Sequence, residues 1–228
     1  MHPLIRTCRL LLLAALALPA TAHANILLSR VLIDIGPGAD TAQNIEITND
    51  GNEVAYVVVE PSEVISPGLP QEKRVAIVDP GVGGLLVSPQ RLILQPQERK
   101  VIRIAAIAPR GPAERIYRVI VKPVSGPVTA QVSALKLLVG YDALVVFRPV
   151  APVGKLVGSR SGNILTLRND GNTNVEIFEG KQCNGPKACT DLPSKRIYAG
   201  QSWQQELGGS APVSYRVAMG ASSGVQQF

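Results

Sequence analysis

Histidine and cysteine, the residue types that most often carry out chemistry in proteins, are few in this chain and unevenly placed. Both histidines, His2 and His23, lie within the first 24 residues. Beyond that stretch no Ser–His or Cys–His nucleophile pair and no His-ligated metal site can form. We therefore expect no enzyme, no metal and no cofactor, although enzymes that use only Asp, Glu or Lys are not excluded by this argument.

Two cysteines remain beyond the first 24 residues, Cys183 and Cys189, with five residues between them. Two cysteines without a histidine cannot complete a zinc site, and redox-active pairs usually have two intervening residues. An oxidising compartment favours a disulfide. Gly185-Pro186 supplies a turn that brings the two thiols together, so we predict a structural disulfide in this loop.

The first 24 residues are typical of a cleaved secretory signal peptide. Arg6 and Arg9 precede an apolar run, Leu10–Leu18, and Ala22-His23-Ala24 has the small-x-small pattern of a cleavage site. The run is too short to cross a bilayer core of about 30 Å, so we expect no membrane insertion of the mature chain. Its removal lowers the formal charge from +6 to +4, because only the two arginines are charged.

The remaining sequence predicts an all-β protein. Short runs rich in valine and isoleucine, such as Ala55–Glu60 and Ile116–Val121, alternate with turns rich in Gly, Pro, Asn and Asp. Runs of this length and composition are typical of strands. Many short strands over about 200 residues indicate sandwiches or barrels. Trp203 and Tyr198 are expected in the core of such a domain.

One strand–turn–strand pattern occurs twice, which predicts two domains of the same fold. Ile45–Asn52 and Leu165–Asn172 both place an alternating strand before Asn-Asp-Gly-Asn, where Asp-Gly predicts a hairpin turn. The alternative is that such turns simply recur in β proteins. We place the boundary at the proline-rich Arg148–Pro152, which gives domains at 25–149 and 150–228 after the signal peptide at 1–24.

The stretch Val132–Arg148 is apolar on both strand faces for much of its length. A strand covered on both sides has this pattern, and so does an exposed strand that another chain will cover. A second stretch, residues 91–122, is rich in arginine and lysine. Export argues against nucleic acid as its partner, and we expect a solvated or partner-facing positive surface.

Several segments, in order, resemble the periplasmic chaperones of the chaperone–usher pilus pathway. The matching segments are Ser29–Val31, Ile47–Asp50, Val87–Pro96, Val101–Ile104, Ile116–Val121 and Phe147–Pro149. The resemblance covers nearly all of the first domain and, more loosely, the second. It implies two immunoglobulin-like β-sandwich domains in an L shape with a cleft between them. It also implies a periplasmic location.

The resemblance implies a binding mechanism called donor-strand complementation. In this family the last strand of the first domain completes an unfinished pilus subunit, and an outer-membrane usher receives the complex. The alternating residues that fill the subunit groove would be Leu135, Leu137 and Val139, which share one face of a strand. The partners implied are pilus subunits and an usher, and the free protein could form a self-capping dimer.

The resemblance also assigns charged residues. Arg30 would bind the carboxylate at the subunit's C-terminus, for which a guanidinium fork is well suited. Arg148 would form an interdomain salt bridge, with Glu114 as its partner. The family has a second basic residue on the long strand, where this chain has Leu144. The substitutes in the sequence are Lys136, Lys155 and Arg168. These departures suggest a divergent branch, the α-fimbrial (alternate) chaperones.

A two-domain structural pilus or surface subunit is the alternative interpretation. A subunit would be expected to lack one strand and to carry an N-terminal donor extension. Here the stretch after the signal peptide begins almost directly with a strand, and the first domain has its own last strand in Val132–Arg148. These features favour the chaperone over the subunit.

Overall fold

The computed structural model describes residues 26–125, 138–185 and 188–228. In these residues the chain forms strands and a single helical turn, which confirms the predicted all-β class. The strands separate into two sandwiches, each with its own apolar core. Leu135 and Leu137 of the predicted donor strand lie outside the described residues.

The first sandwich contains ten strands and the helical turn among the described residues. They are β1 (Ile26–Leu28), β2 (Leu32–Ile35), β3 (Ala42–Asn49), β4 (Ala55–Ile65), β5 (Lys73–Ala76), α1 (Pro80–Gly83), β6 (Leu85–Ser88), β7 (Arg91–Leu94), β8 (Arg99–Ala106), β9 (Arg115–Val124) and β10 (Tyr141–Phe147). One sheet has the order β1-β3-β8-β6. The other has the order β2-β10-β9-β4-β5, with β7 also pairing with β4. All of these pairs are antiparallel except β2–β10, which is parallel.

The core of the first sandwich follows from the period of two in its strands. Ile45 and Ile47 of β3 are fully buried, while Glu46 between them is exposed. Val119 and Val121 of β9 are buried in the same core from the opposite sheet. Burying a side chain of this size is worth about 1.5–3 kcal/mol, so this alternation fixes which face of each strand points inward.

The second sandwich is smaller. Its strands are β11 (Leu156–Ser161), β12 (Ile164–Asn169), β13 (Val175–Cys183), β14 (Cys189–Leu192), β15 (Lys195–Ile197), β16 (Ser202–Glu206), β17 (Val213–Met219) and β18 (Ser222–Gln227). One sheet has the order β11-β12-β16. The other has the order β14-β13-β17-β18, with β15 also pairing with β13. Trp203 packs partly buried against this core and meets the Tyr215 ring edge to face, as its sequence position predicts.

The predicted disulfide is present in the structure. Cys183 and Cys189 are opposite each other in the β13–β14 pair, and their sulfur atoms are 2.05 Å apart. The disulfide therefore joins the two strands at the end of their pairing, where the chain turns through Gly185. It lies in the second sandwich, whose buried core is the smaller of the two.

The repeated Asn-Asp-Gly-Asn turn occupies equivalent places in the two sandwiches, but the hairpin prediction was wrong. The turn after β3 leads to β4 in the opposite sheet, and the turn after β12 leads to β13 in the opposite sheet. The reason is that the strands before and after each turn bury alternate residues in one core from opposite sides. Sequence patterns show this alternation without showing which strands pair.

Asn49 and Asn169 explain why the turns are alike. Each accepts a hydrogen bond at its own Oδ1 from the backbone NH of the glycine two residues on, Gly51 or Gly171. The Nδ2 of Asn49 also lies 2.7–3.1 Å from the carbonyl oxygens of Glu53, Leu94 and Gln95. Both asparagines are fully buried, so these side chains bind the crossing segment to the rest of the sandwich.

Replacing Asn49 with alanine is expected to lower the free energy of unfolding by about 2 kcal/mol, because it leaves buried backbone groups without hydrogen bonds. Urea unfolding followed by circular dichroism measures the change. The control is Asn44→Ala on the same strand, where the side chain is exposed. Equal effects of the two substitutions would contradict the bracing role of Asn49.

Candidate functional site

Strand β10 has one edge that is only partly covered. On one side it pairs with β9 from Tyr141 to Phe147. On the other side it pairs with β2 only from Leu144 onward, where the Leu144 NH donates to the Val31 carbonyl at 2.8 Å. Among the described residues no strand covers the edge of β10 before Leu144. Its backbone groups there are available to another strand.

Val139, the third predicted groove-filling residue, lies just before β10 and is 50% exposed. It belongs to the same chain segment as the open edge. Its exposure leaves the side chain available to a partner. Its role in filling a groove stays a prediction, as do the roles of Leu135 and Leu137.

Arg30 lies where the chain passes from β1 in one sheet to β2 in the other. Its Nη2 donates to the Asn44 carbonyl at 2.6 Å and lies 3.4 Å from Gln43 Oε1, and the residue is exposed. Because β2 runs parallel to β10, Arg30 precedes β2 at the level where the open edge of β10 ends. The chain itself therefore places a guanidinium at the end of that edge.

Leu144, which stands where the family has a second basic residue, is nearly buried. It lies with Val64, Ile116 and Val146 in an apolar cluster on the outer face of the β2–β10–β9–β4–β5 sheet. Tyr198 of the second sandwich packs against this cluster. The position is therefore a packing position between the two sandwiches, which suits leucine and would strand an unpaired lysine.

Tyr198 was expected in the core of the second sandwich and instead lies between the two sandwiches. Burial raises the pKa of Tyr198, and the nearby positive charges of Arg196 and Arg118 act in the opposite direction. Beside it, the Gln201 side chain donates to the carbonyl of Pro67 in the first sandwich. Tyr198 and Gln201 thus hold the second sandwich against the β4–β5 loop.

A pair of arginines beside Leu144 was missed by the sequence analysis. Arg118 is the cross-strand neighbour of Leu144 on β9, so the two side chains share the outer face. Its Nη1 lies 3.4 Å from the Asp142 carbonyl oxygen and 4.0 Å from Asp142 Oδ2. Arg74 Nη2 is 2.7 Å from the same carboxylate oxygen. Only the strand register reveals this grouping, because the three residues are far apart in sequence.

The substitutes suggested by the sequence are placed differently. Arg168 forms an ion pair with Asp170 at 2.8 Å, and its side chain is 58% exposed. The backbone of Lys155 is bonded to the turn at Asn169 and Asp170 in the second sandwich. Lys136 lies outside the described residues. The structure gives neither Arg168 nor Lys155 a contact with β10.

The structure pairs Arg148 with Asp34, and the predicted direct salt bridge with Glu114 was wrong. Arg148 Nε and Nη2 bind the two oxygens of Asp34 at 2.7 Å each, a bidentate geometry. Its Nη1 donates to Thr173 Oγ1 in the second sandwich at 2.5 Å. Asp34 was overlooked because it lies on β2, which becomes a neighbour of Arg148 only through the parallel β2–β10 pairing.

Glu114 nevertheless belongs to the contact between the sandwiches. Its Oε2 accepts hydrogen bonds from Thr173 Oγ1 at 2.7 Å and from Asn174 Nδ2 at 2.6 Å. Arg196 in turn donates to Asn174 Oδ1 at 2.6 Å. Thr173 therefore connects Glu114 to Arg148 through one hydroxyl, and the two predicted residues act in one network with a different pairing.

Asn172 forms a second connection between the sandwiches. Its Nδ2 donates to the carbonyls of Pro112 and Ala151 at 2.9 and 3.0 Å, and its carbonyl accepts from the Glu114 NH. Its Oδ1 accepts from the Val153 NH at 2.7 Å. The second copy of the repeated turn thus binds both the first sandwich and the linker that follows β10.

Searches for other kinds of site give little. Across residues 26–125, 138–185 and 188–228, no group of three or more His, Cys, Asp or Glu side chains is arranged to hold a metal ion. In the same ranges no helix has the length and apolar character needed to cross a membrane.

Comparisons with known proteins identify the fold. No protein-family model matches the chain. It is 28% identical over 204 residues to a CFA/I fimbrial subunit of Escherichia coli, and the match covers 84% of each chain. The crystal structure of the class 5 fimbriae chaperone CfaA superposes with a TM-score of 0.67 and 22% identity, covering 89% of this chain and 98% of that one.

The chain has the fold of the fimbrial chaperones. The periplasmic chaperone SfaE gives a TM-score of 0.62 at 16% identity, over 89% of this chain and 97% of that one. The SafB chaperone of Salmonella enterica, solved with the SafA pilin, gives 0.60 at 20% identity, over 87% and 91% of the two chains. The predicted pair of immunoglobulin-like sandwiches is thereby confirmed, and the chaperone fold places the open edge of β10 in its first sandwich.

Proposed function

We propose that this chain is a periplasmic chaperone, not an enzyme, that binds, folds and caps fimbrial subunits and delivers them to an outer-membrane usher. The observation that carries the proposal is the open edge of β10, which ends at β2 beside Arg30. An open strand edge with exposed side chains is suited to accept or donate a strand. The relatives support the partner class, since SafB was solved with a pilin and CsuC with a tip subunit.

Binding proceeds by strand addition along the open edge of β10. A subunit strand that runs parallel to β10 continues the line of β2, and its C-terminal carboxylate then comes to lie at Arg30. Backbone hydrogen bonds hold the strand, and Leu135, Leu137 and Val139 fill the subunit's groove. A charge-assisted bond between Arg30 and the carboxylate fixes the register, because a one-residue slip would reverse every side chain.

No observation favours the alternative of a structural subunit. The first sandwich already contains β10 between β2 and β9, so the described residues supply its own last strand. A self-capping dimer through the open edge of β10 stays a prediction.

Replacing Arg30 with alanine is expected to weaken a subunit complex by about tenfold to a hundredfold, because a charge-assisted hydrogen bond to the carboxylate is lost. The measurement is the yield of 1:1 complex after co-expression with the fimbrial subunit encoded beside this gene. The control is Arg103→Ala, an exposed arginine on the outer face of the other sheet. If the Arg30 variant gives an unchanged yield of complex, the proposed carboxylate anchor is wrong.

A further inference from the structure

The environment of Arg30 contains a negative charge that a bound carboxylate would have to tolerate. In the parallel β2–β10 pairing, Leu32 is level with Leu144, so Asp142 is level with the position of Arg30. Asp142 is 40% exposed on its side chain and lies on the strand to which the subunit would bind. Alone, it would repel a carboxylate arriving at the end of the open edge.

Arg118 and Arg74 neutralise this charge and leave a positive surplus. Both guanidinium groups converge on the carboxylate of Asp142, at 4.0 and 2.7 Å. Together with Arg30, the group contains three arginines and one carboxylate. Arg74 makes the shorter, charge-assisted contact with Asp142 and is committed to it. Arg118 makes the longer contact and keeps donors available for another oxygen.

The position of Arg118 also fits a bound strand. Neighbouring strands are about 4.8 Å apart, so β9 lies about 10 Å from a strand added to the open edge. The Arg118 guanidinium already reaches across to β10, where its Nη1 is 3.4 Å from the Asp142 carbonyl oxygen. It is therefore one strand spacing from the added strand. The apolar side chain of Leu144 lies beside the stem of Arg118 on the same face.

We propose that Arg118 is the second cation of the carboxylate site, supplied by β9 rather than by the strand that carries Leu144. Its guanidinium moves from Asp142 to the terminal carboxylate when a subunit strand binds, while Arg74 retains Asp142. The inference rests on the proposed function, and it makes Arg118 a binding residue of the same site.

The test compares two synthetic peptides on the full chain. Both are 12-residue peptides of alternating valine and threonine with an N-terminal dye, one ending in a free carboxylate and the other in an amide. Fluorescence anisotropy measures their dissociation constants. The wild type is expected to prefer the carboxylate, and Arg118→Gln is expected to bind it about tenfold more weakly while binding the amide unchanged.

Arg103→Gln serves as the matched control and is expected to leave both dissociation constants unchanged. A loss of carboxylate and amide binding to the same extent in Arg118→Gln would overturn the inference, since it would indicate a structural role. A preference for the carboxylate that survives in Arg118→Gln would overturn it as well. If the wild type binds neither peptide, strand addition itself fails, and with it the proposed function. Wild-type binding without a preference for the carboxylate would overturn the carboxylate site, including the roles of Arg30 and Arg118.

Discussion

Replacing Arg148 with alanine is expected to lower the free energy of unfolding by about 3 kcal/mol. The guanidinium is 5% exposed and forms both hydrogen bonds of a bidentate pair with Asp34. Removing one member of a buried ion pair leaves the other without compensation, which costs about 3–5 kcal/mol. We place the effect at the lower end because Asp34 is 31% exposed and water can reach it.

Two readouts test this prediction. Urea unfolding followed by circular dichroism gives the stability of the whole protein, whereas fluorescence of Trp203, the single tryptophan, reports on the second sandwich. The two transitions should separate in Arg148→Ala, because its bond to Thr173 is one of the links between the sandwiches. The control is Arg168→Ala, whose exposed ion pair should be worth less than about 1 kcal/mol. Indistinguishable losses in the two variants would contradict the assigned role.

Replacing Gly171 with alanine is expected to be at least as damaging, with a loss of about 3 kcal/mol or more. A Cβ at this position would lie inside contact distance of the Val153 carbonyl oxygen and of the Lys155 nitrogen, both backbone atoms. Backbone cannot swing aside as a flexible side chain can, so the linker must shift away from the turn. The shift would also break the hydrogen bonds between Asn172 and Val153.

Small-angle scattering and urea unfolding together measure the effect of Gly171→Ala. We expect a change in the arrangement of the two sandwiches as well as a lower stability. The control is Gly36→Ala, where nothing lies within 4 Å of the added Cβ, and its stability should stay within about 1 kcal/mol of the wild type. An unchanged scattering profile and an unchanged stability for Gly171→Ala would show that the linker does not depend on this close approach.

Local patterns in the sequence were sufficient for the fold class and for several contacts. Alternation at Ile45 and Ile47 predicted buried faces, because a strand has a period of two. Cys183 and Cys189 predicted their own disulfide, because they are close in sequence and separated by a turn. The repeat of Asn49 at Asn169 predicted two related units, because the same side chain makes the same turn in each.

The pairing of distant charged residues could not be predicted in this way. Arg148 binds Asp34 because β2 lies parallel to β10, and nothing near either residue in the sequence indicates that pairing. The proximity of Arg118 to Leu144 depends on the register of β9 against β10 in the same way. Tyr198 resembles a core residue in composition, and only the arrangement of the two sandwiches places it between them.

The parallel strand β2 has a consequence for the choice of partner. It occupies the edge of β10 from Leu144 onward, so an added strand cannot continue past Val31 without colliding with it. A segment from the middle of a polypeptide must continue in both directions, whereas a C-terminal segment can stop there. The edge therefore recognises chain ends and rejects internal segments, as an exopeptidase does among proteases. Most stretches of unfolded protein in the same compartment would thus be excluded by shape before any side chain is compared.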